Sequence, residues 1–366
     1  MTHYVGLDVS MKSVFVCILD QEGNISREVE LPTEPAAIHS FLAGTSLEIN
    51  KIGLETGNMT HWLTKGLRGY GYEVHPMESR KMAAILATVI NKTDQNDARG
   101  IAEALRAGHY HQCVHRSDGA MELRTALHAR DLLVKQRTQT TNSIRGFLKV
   151  YGVKLKKGRG ADFPELVREA VSELAIEVRV SMESLLSVLA VLSDEIGKLD
   201  RVLEKQAKTT SSVQLLKTID GIGTITALAY VGEIDEVDRF KSSRDVAAYL
   251  GLTPRQYSSG EITKQGRVSK QGSSHLRGLL IESATVLLTR CQSWSPIKSW
   301  GLKLMKKKGK RKAIVAVARK LAVIMHSMLK NGAEFNRKGK TAMIKDAHKK
   351  AKAKLDKDTG LIEQAI

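Results

Sequence analysis

The sequence predicts an α/β first domain, a helical arm and a mainly α-helical second half. Three observations carry that reading. Strand-like runs follow one another at the N-terminus, strand and helix patterns then alternate to about residue 107, and beyond residue 119 most apolar series recur at three-and-four spacing.

In order, Tyr4 to Val9, Ser13 to Leu19 and Ile25 to Leu31 read as three consecutive antiparallel strands, the last two separated by the turn Gln21-Glu-Gly-Asn24. A helix near Pro35 to Leu42, a short strand Lys51 to Leu54, a helix from about Thr60 to Leu67 and a strand Tyr72 to His75 complete a mixed sheet with helices. Ser79 to Ala107 reads as helical. Its polar insert Asn91-Lys-Thr-Asp-Gln-Asn-Asp97 opens a helix whose Ala98, Ile101, Ala102 and Leu105 recur at helical spacing. A long helical stretch runs from Gly119 to about Val150. From Phe163 to about Lys208 the series Val167, Val171, Leu174, Val178, Met182, Leu185, Leu189, Leu192, Ile196, Leu199 and Leu203 has the spacing of a coiled-coil hairpin or arm. The basic link from Lys154 to Gly160 marks a boundary.

A second compact unit starts near Ser211. Leu215 to Gly223 followed by Thr224 to Val231 gives helix, Gly-x-Gly turn and helix, a helix-hairpin-helix pattern in which Gly221 and Gly223 let backbone amides approach a phosphate. A short helix at Arg244 to Leu250, a polar loop from Gly251 to Gly272 and further helices from Ser274 follow, with Ser273 or Ser274 as cap. The expected domains are 1–150, 151–210, 211–335 and a basic tail, 336–366.

The 57 lysines and arginines against 39 aspartates and glutamates leave a formal net charge of +18 over 366 residues, which points to a polyanionic partner, nucleic acid first. With 42% hydrophobic residues the chain has ample core, and no run reaches the roughly 18 apolar residues that cross a bilayer. The three cysteines, Cys17, Cys113 and Cys291, form no framework or Cys-x-x-Cys pair, and no export signal opens the chain, so a cytoplasmic setting without membrane contact is expected.

The sharpest chemical signal is a set of four carboxylates: Asp8 inside the first strand, Glu55 just past the fourth, and Asp94 and Asp97 three residues apart on one helix face. Oxygen ligands suit hard divalent ions, and bridged ions stabilise the attacking and leaving oxygens of phosphoryl transfer. Each residue alone has a plainer role, such as a sheet edge, a strand end or, for Asp94, a helix cap. Their joint placement on strand one, strand four and a late helix is the layout of the ribonuclease-H-like fold.

Gly6-Leu-Asp8-Val, Leu54-Glu55-Thr-Gly57 and Lys92-Thr-Asp94-Gln-Asn-Asp97-Ala-Arg99, with Ile219-Asp-Gly-Ile-Gly223 and Ala247 to Gly260 farther on, resemble the DEDD transposases of the insertion-sequence one-ten class, bridge-RNA-guided recombinases similar to the Piv-type DNA invertases. The resemblance covers most of residues 1 to 335. It implies a RuvC-like N-terminal domain binding Mg2+ (or Mn2+, which the ligand type does not separate from it) through Asp8, Glu55, Asp94 and Asp97, a coiled-coil arm making dimer contacts, and a C-terminal transposase domain whose Tyr-x-Ser-Gly segment supplies Ser259 as nucleophile. Ser258 and Tyr257 offer neighbouring hydroxyls. It also implies donor and target DNA, a structured bridge RNA, and a homodimer or tetramer as partners.

Arg255, Lys264, Arg267, Lys270 and Arg277 surround the serine loop as phosphate ligands. They continue into the run from Glu282 to Glu334, which holds no carboxylate but carries Lys303, Lys306, Lys307, Lys308, Lys310, Arg311, Lys312, Arg319 and Lys320. With aromatics at only 5%, backbone contacts should outweigh base stacking. His109-Tyr-His111-Gln-Cys113-Val-His115 has the outline of a metal cluster, but an extended loop beside the sheet explains it equally. The alternative to a serine recombinase is a metal-dependent Holliday-junction-type nuclease in which water attacks. A protein that only binds nucleic acid is the third reading, and the carboxylate set speaks against it.

Overall fold

The computed structural model describes residues 1–87, 91–155, 162–260 and 262–336. The basic link at Lys156, Lys157, Gly158 and Arg159 and the tail past Asn336, both read from the sequence, lie outside the described residues. The chain divides into two compact units, Met1–Ser117 and Asp118 onward.

In the first unit β1 (Thr2–Val9), β2 (Ser13–Leu19), β3 (Ile25–Pro32), β4 (Glu48–Glu55) and β5 (Val74–Met77) form one sheet in the order β3-β2-β1-β4-β5. The first three strands pair antiparallel, while β4 runs parallel to both β1 and β5. Alternation along the strands separates two faces. Val5, Leu7, Val14, Val16, Ile18, Ile52 and Leu54 pack with Ile38 and Leu42 of α1 (Pro35–Gly44) and Leu63 and Leu67 of α2 (Thr60–Gly69). Cys17 and Leu19 on the other face receive Ala98 and Ala102 of α4 (Asp94–Arg106), which follows α3 (Ser79–Leu86).

The helix α4 lies on the sheet at unusually short range, because β1 and β4 put glycines side by side beneath it: Gly6 is the register partner of Gly53. A Cβ at Gly6 would stand 2.1 Å from the Ala98 carbonyl oxygen and 2.5 Å from the Ala102 amide nitrogen, and one at Gly53 would stand 2.4 Å from Met77 Cε. No side chain fits there.

Strand β5 falls two residues later than expected. Pro76 reads as a breaker, but β5 is the sheet's edge, where a missing donor is tolerated. Residues 111–113 run extended alongside it: the Glu78 amide donates to the His111 carbonyl (2.9 Å) and the Cys113 amide to the Pro76 carbonyl (2.7 Å). The His109–His115 segment is therefore a loop beside the sheet.

The second unit is mostly helical. The helix α5 (Asp118–Val150) packs along α7 (Ile176–Thr209), with α6 (Phe163–Ala170) closing an apolar cluster of Ile144, Leu148, Val167, Met182 and Leu186, and with Arg130 Nε donating to Asp200 Oδ1 at 2.5 Å. The series from Phe163 to Lys208 thus breaks between 171 and 175. The larger core joins α8 (Ser211–Lys217), α9 (Thr224–Ile234), α10 (Asp245–Tyr249), α11 (Ser274–Thr289), α12 (Pro296–Lys308) and α13 (Lys310–Asn331) around Tyr230, whose hydroxyl donates to the Ala322 carbonyl (2.6 Å). Among the described residues no helix is long and apolar enough to cross a membrane.

One expectation fails here. The segment read as a polar loop from Gly251 to Gly272 contains an antiparallel ribbon, β6 (Pro254–Ser259) with β7 (Ile262–Val268). All six residues of β6 are exposed, so neither face supplies the apolar alternation by which a strand is read.

Candidate metal centre and nucleic-acid interface

Asp8 lies two residues past Gly6 and Glu55 two past Gly53, so both belong to the α4 face of two adjacent parallel strands. The first turn of α4 brings Asp94 and Asp97 to the same end. Thr93 is the N-cap, its Oγ1 accepting from the Asn96 amide at 3.1 Å. The capping role open to Asp94 is therefore taken by its neighbour. Asp97 is buried, Asp94 exposed, and Lys92 Nζ stands 3.9 Å from Asp97 Oδ2.

Electrostatics ties the four together. Burial first, then the charges of Asp97, Asp94 and Glu55 in that order, push Asp8 up from 3.8 to about 6, while Lys92 pulls the other way. Among the described residues no three histidine, cysteine or carboxylate side chains converge tightly enough to hold an ion as they stand. Oxygen-only donors that burden each other in this way fit a hard divalent cation, whose charge reverses the penalty.

Each remaining residue of the 92–99 motif has a place. Asn96 Nδ2 donates to the Asn91 carbonyl at 2.9 Å. Gln95 Nε2 and Arg99 Nη2 each donate to Glu28 Oε2 at 2.6 Å, and Arg99 Nε donates to Glu28 Oε1. Sequence reasoning gave Glu28 no role, since its partners are 67 and 71 residues away. A local signal was present in the repeated Gly-x-acid at Gly6-Leu-Asp8 and Gly53-Leu-Glu55, which pairs a close approach with a carboxylate on two neighbouring strands.

The ribbon of the second unit resolves the serine pair by face. Tyr257 pairs with Lys264, and Ser259 with Ile262. A Cβ at Gly266 would lie 3.3 Å from the Tyr257 ring and 3.6 Å from Arg255 Cβ, so Arg255, Tyr257, Ser259 and Lys264 share one face. Ser258 is on the opposite face, where its Oγ accepts from Gln256 Nε2 at 3.0 Å. Arg255, Lys264, Arg267 and Lys270 are exposed.

Arg277 is placed differently from expectation. Its Nη1 donates to the carbonyls of Gln271 (2.7 Å), Leu250 (3.1 Å) and Ser273 (3.3 Å), so it braces the root of the ribbon rather than offering that nitrogen to a phosphate. Gly221, at φ 88, is explained by packing: a Cβ would meet the Ser283 carbonyl oxygen at 3.0 Å. Gly223 is the N-cap residue of α9, with open space where its Cβ would be. At that helix start a Thr224 hydrogen bond already holds the Glu204 carboxyl below its usual range. Ser273 caps α11, accepting from the Leu276 amide at 3.2 Å.

The hairpin of α12 and α13 gathers the densest charge. Lys306, Lys307 and Lys308 end one helix, Lys310, Arg311 and Lys312 begin the next, and all six are exposed with no carboxylate partner among the described residues. Cations suit the first terminus and oppose the dipole at the second.

Residues 5–153 match the DEDD transposase model of the IS110 group, described as "Transposase", and residues 213–298 match the model described as "Transposase IS116/IS110/IS902 family". The transposase for insertion sequence element IS1111A of Coxiella burnetii is 29% identical over 332 residues, 89% of each chain. The transposase for insertion sequence element IS1328 of Yersinia enterocolitica is 26% identical over 91% of this chain and 98% of its own. The pilin gene-inverting protein of Moraxella bovis is 30% identical over 154 residues, 40% of this chain and 47% of its own. With two matched segments covering more than half of its length and relatives aligned over most of theirs, the chain belongs to the IS110/IS116 family of DEDD transposases.

Proposed function

We propose that the chain is a DNA transposase that cuts and rejoins strands through Ser259, assisted by a divalent ion held by Asp8, Glu55, Asp94 and Asp97 of a RuvC-like domain. The observation that carries the metal part of the reading is the placement of four carboxylates, Asp8 and Glu55 on adjacent parallel strands and Asp94 and Asp97 in the first turn of the helix laid across them, with their charges acting together on Asp8. The transposase and inverting relatives support action on DNA.

The residues divide the work by chemistry. Mg2+ at the carboxylates would supply Lewis-acid stabilisation of charge on the phosphate and the departing oxygen. Ser259 Oγ forms the new bond to phosphorus as the strand's bridging P–O bond breaks, and its proton leaves with the departing hydroxyl. A free DNA hydroxyl then displaces the serine in the reverse sense. No bond energy is lost, so no nucleotide triphosphate is needed. Sharing its face with Arg255 and Lys264 favours Ser259 over Ser258, because two cations there compensate the phosphate. Lys306–Lys308 and Lys310–Lys312 hold backbone phosphates of DNA or of a structured guide RNA, and the α5–α7 arm joins copies of the chain into a dimer or tetramer.

The test is to incubate the protein with donor and target DNA, Mg2+ and RNA transcribed from the flanking element, and to look for a covalent protein–DNA adduct. An adduct formed by wild type and lost in Ser259→Ala is the expected result. Cleavage without an adduct, unchanged in Ser259→Ala, would replace this reading by a nuclease in which water attacks.

A further inference from the structure

We propose that Glu28 is a positioning residue that locks the rotation of α4 and thereby sets where Asp94 and Asp97 point. The proposal rests on the reading of the four carboxylates as a metal site.

Glu28 lies on β3, the edge strand two places from β1, and so about 10 Å from the strand that carries Asp8. Its side chain is only 15% exposed, and both of its oxygens are used: Arg99 engages them as a fork, Gln95 Nε2 adds a bond at 2.6 Å, and the Cys17 thiol makes a further hydrogen bond. The Arg99 hydrogen bond is the largest of the influences holding the Glu28 carboxyl below its usual range. A site that takes so many donors on one carboxylate is built rather than incidental.

The geometry of α4 explains what the fork does. Beneath its middle, Gly6 admits Ala98 and Ala102 so closely that the helix cannot slide. A helix resting on two small residues can still roll about its axis, and rolling would swing Asp94 and Asp97 away from Asp8 and Glu55. Gln95 and Arg99, four apart, form one stripe of that helix and are both tied to Glu28, which stops the roll on the side away from β4. The fork also keeps the Arg99 charge, two residues from Asp97, turned toward β3. Released, that guanidinium would compete with a cation for the same carboxylates.

The experiment measures Mn2+ binding by electron paramagnetic resonance to the full-length protein without nucleic acid, beside apo melting curves. Wild type, Asp8→Asn, Glu28→Gln, Arg99→Lys, Arg99→Gln and the Glu28→Gln/Arg99→Gln double variant are compared. Loss of a group that orients a metal ligand typically weakens affinity by about 10–100-fold, which is the expectation for Glu28→Gln and Arg99→Gln. The double variant should lose no more than either single one, because both break the same fork. Arg99→Lys, which keeps the charge at a partly exposed site, tests the fork with least risk to folding and should lose at least about threefold.

Mn2+ affinity within twofold of wild type in Glu28→Gln and Arg99→Lys, or losses that multiply in the double variant, would overturn the proposal while leaving the metal site intact. Wild type that takes up no Mn2+, or Asp8→Asn that binds it as well as wild type, would overturn the metal reading and the lock together.

Discussion

The acidic end of α4 and the β6–β7 ribbon hold their side chains in opposite ways. The carboxylates sit on a five-stranded sheet and a helix pressed onto it at Gly6, with Thr93 capping and Glu28 clamping the helix start. Ser259 sits on two strands with both faces in solvent, Tyr257 and Ile262 each 60% exposed. A two-stranded ribbon alone is marginal in water, and what braces this one is the root at Arg277. The difference teaches that packing against a sheet fixes the backbone around the carboxylates, whereas the ribbon has only its own pairing and its root to hold it.

The largest effects should be on strand exchange. Asp97→Asn and Ser259→Ala should each lower the yield of rejoined product by about 10³-fold or more, on the order of 4 kcal/mol of barrier. Calorimetric metal titration should separate them: Asp97→Asn loses uptake and Ser259→Ala keeps it. Equal uptake in both would break the division of labour.

Stability should respond on one side only. Gly6→Ala forces a methyl group into the backbone of α4 and should cost about 3 kcal/mol in urea unfolding. Replacing both Tyr257 and Ile262 by Thr should shift the same curve by less than about 0.5 kcal/mol, as exposed positions do. A large shift from the ribbon pair would show that it has a buried face after all.

A smaller effect concerns pH. A carboxyl raised from 3.8 to about 6 costs the folded state little below about pH 4, and its penalty grows to full size above about pH 6. Metal-free protein should therefore gain stability from this group as pH falls from 7.5 to 5. Asp8→Asn should remove the trend and raise the apo melting temperature by a few degrees, roughly 1 kcal/mol after allowance for the half-exposed site. A melting temperature that falls in Asp8→Asn at pH 7.5 would contradict the assigned repulsion.

The smallest stability change should accompany a clear binding change. Lys310→Gln, Arg311→Gln and Lys312→Gln together remove three charges that oppose the α13 dipole, so melting should stay level or rise by about a degree. The slope of log binding constant against log salt should become shallower by roughly two to three, measured by anisotropy with a DNA duplex.

Much of this was legible beforehand, for reasons that differ by region. The second strand was bounded correctly as Ser13–Leu19 because a continuous apolar run from Val14 to Leu19 is bracketed by polar turns, and the N-terminal turn of α4 was marked by its polar run before Ala98. Asp8 stood out as a charge inside a mostly apolar strand, and Glu55, Asp94 and Asp97 stood out by their placement relative to it, past strand four and at the start of a late helix. The ribbon was read as a loop because Arg255, Gln256, Ser258, Lys264 and Gln265 bury nothing and so leave no periodic trace. Strand β5 was read two residues early, as Tyr72 to His75, whereas the strand runs on through Pro76, which an edge tolerates. Glu28 was missed because nothing near it in the chain reveals Arg99. Arg277 was read as a phosphate ligand because its charge is visible in sequence and its carbonyl partners, Leu250 among them, are not.

The turn between α12 and α13 has a practical consequence. Six exposed lysines and arginines flank Gly309, so the free protein offers trypsin a cluster of scissile bonds at a single surface turn. When that turn is covered by a polyanion, the same bonds are shielded. A brief digest resolved by mass then reads the occupancy of this surface directly, without label, substrate turnover or knowledge of the sequence bound.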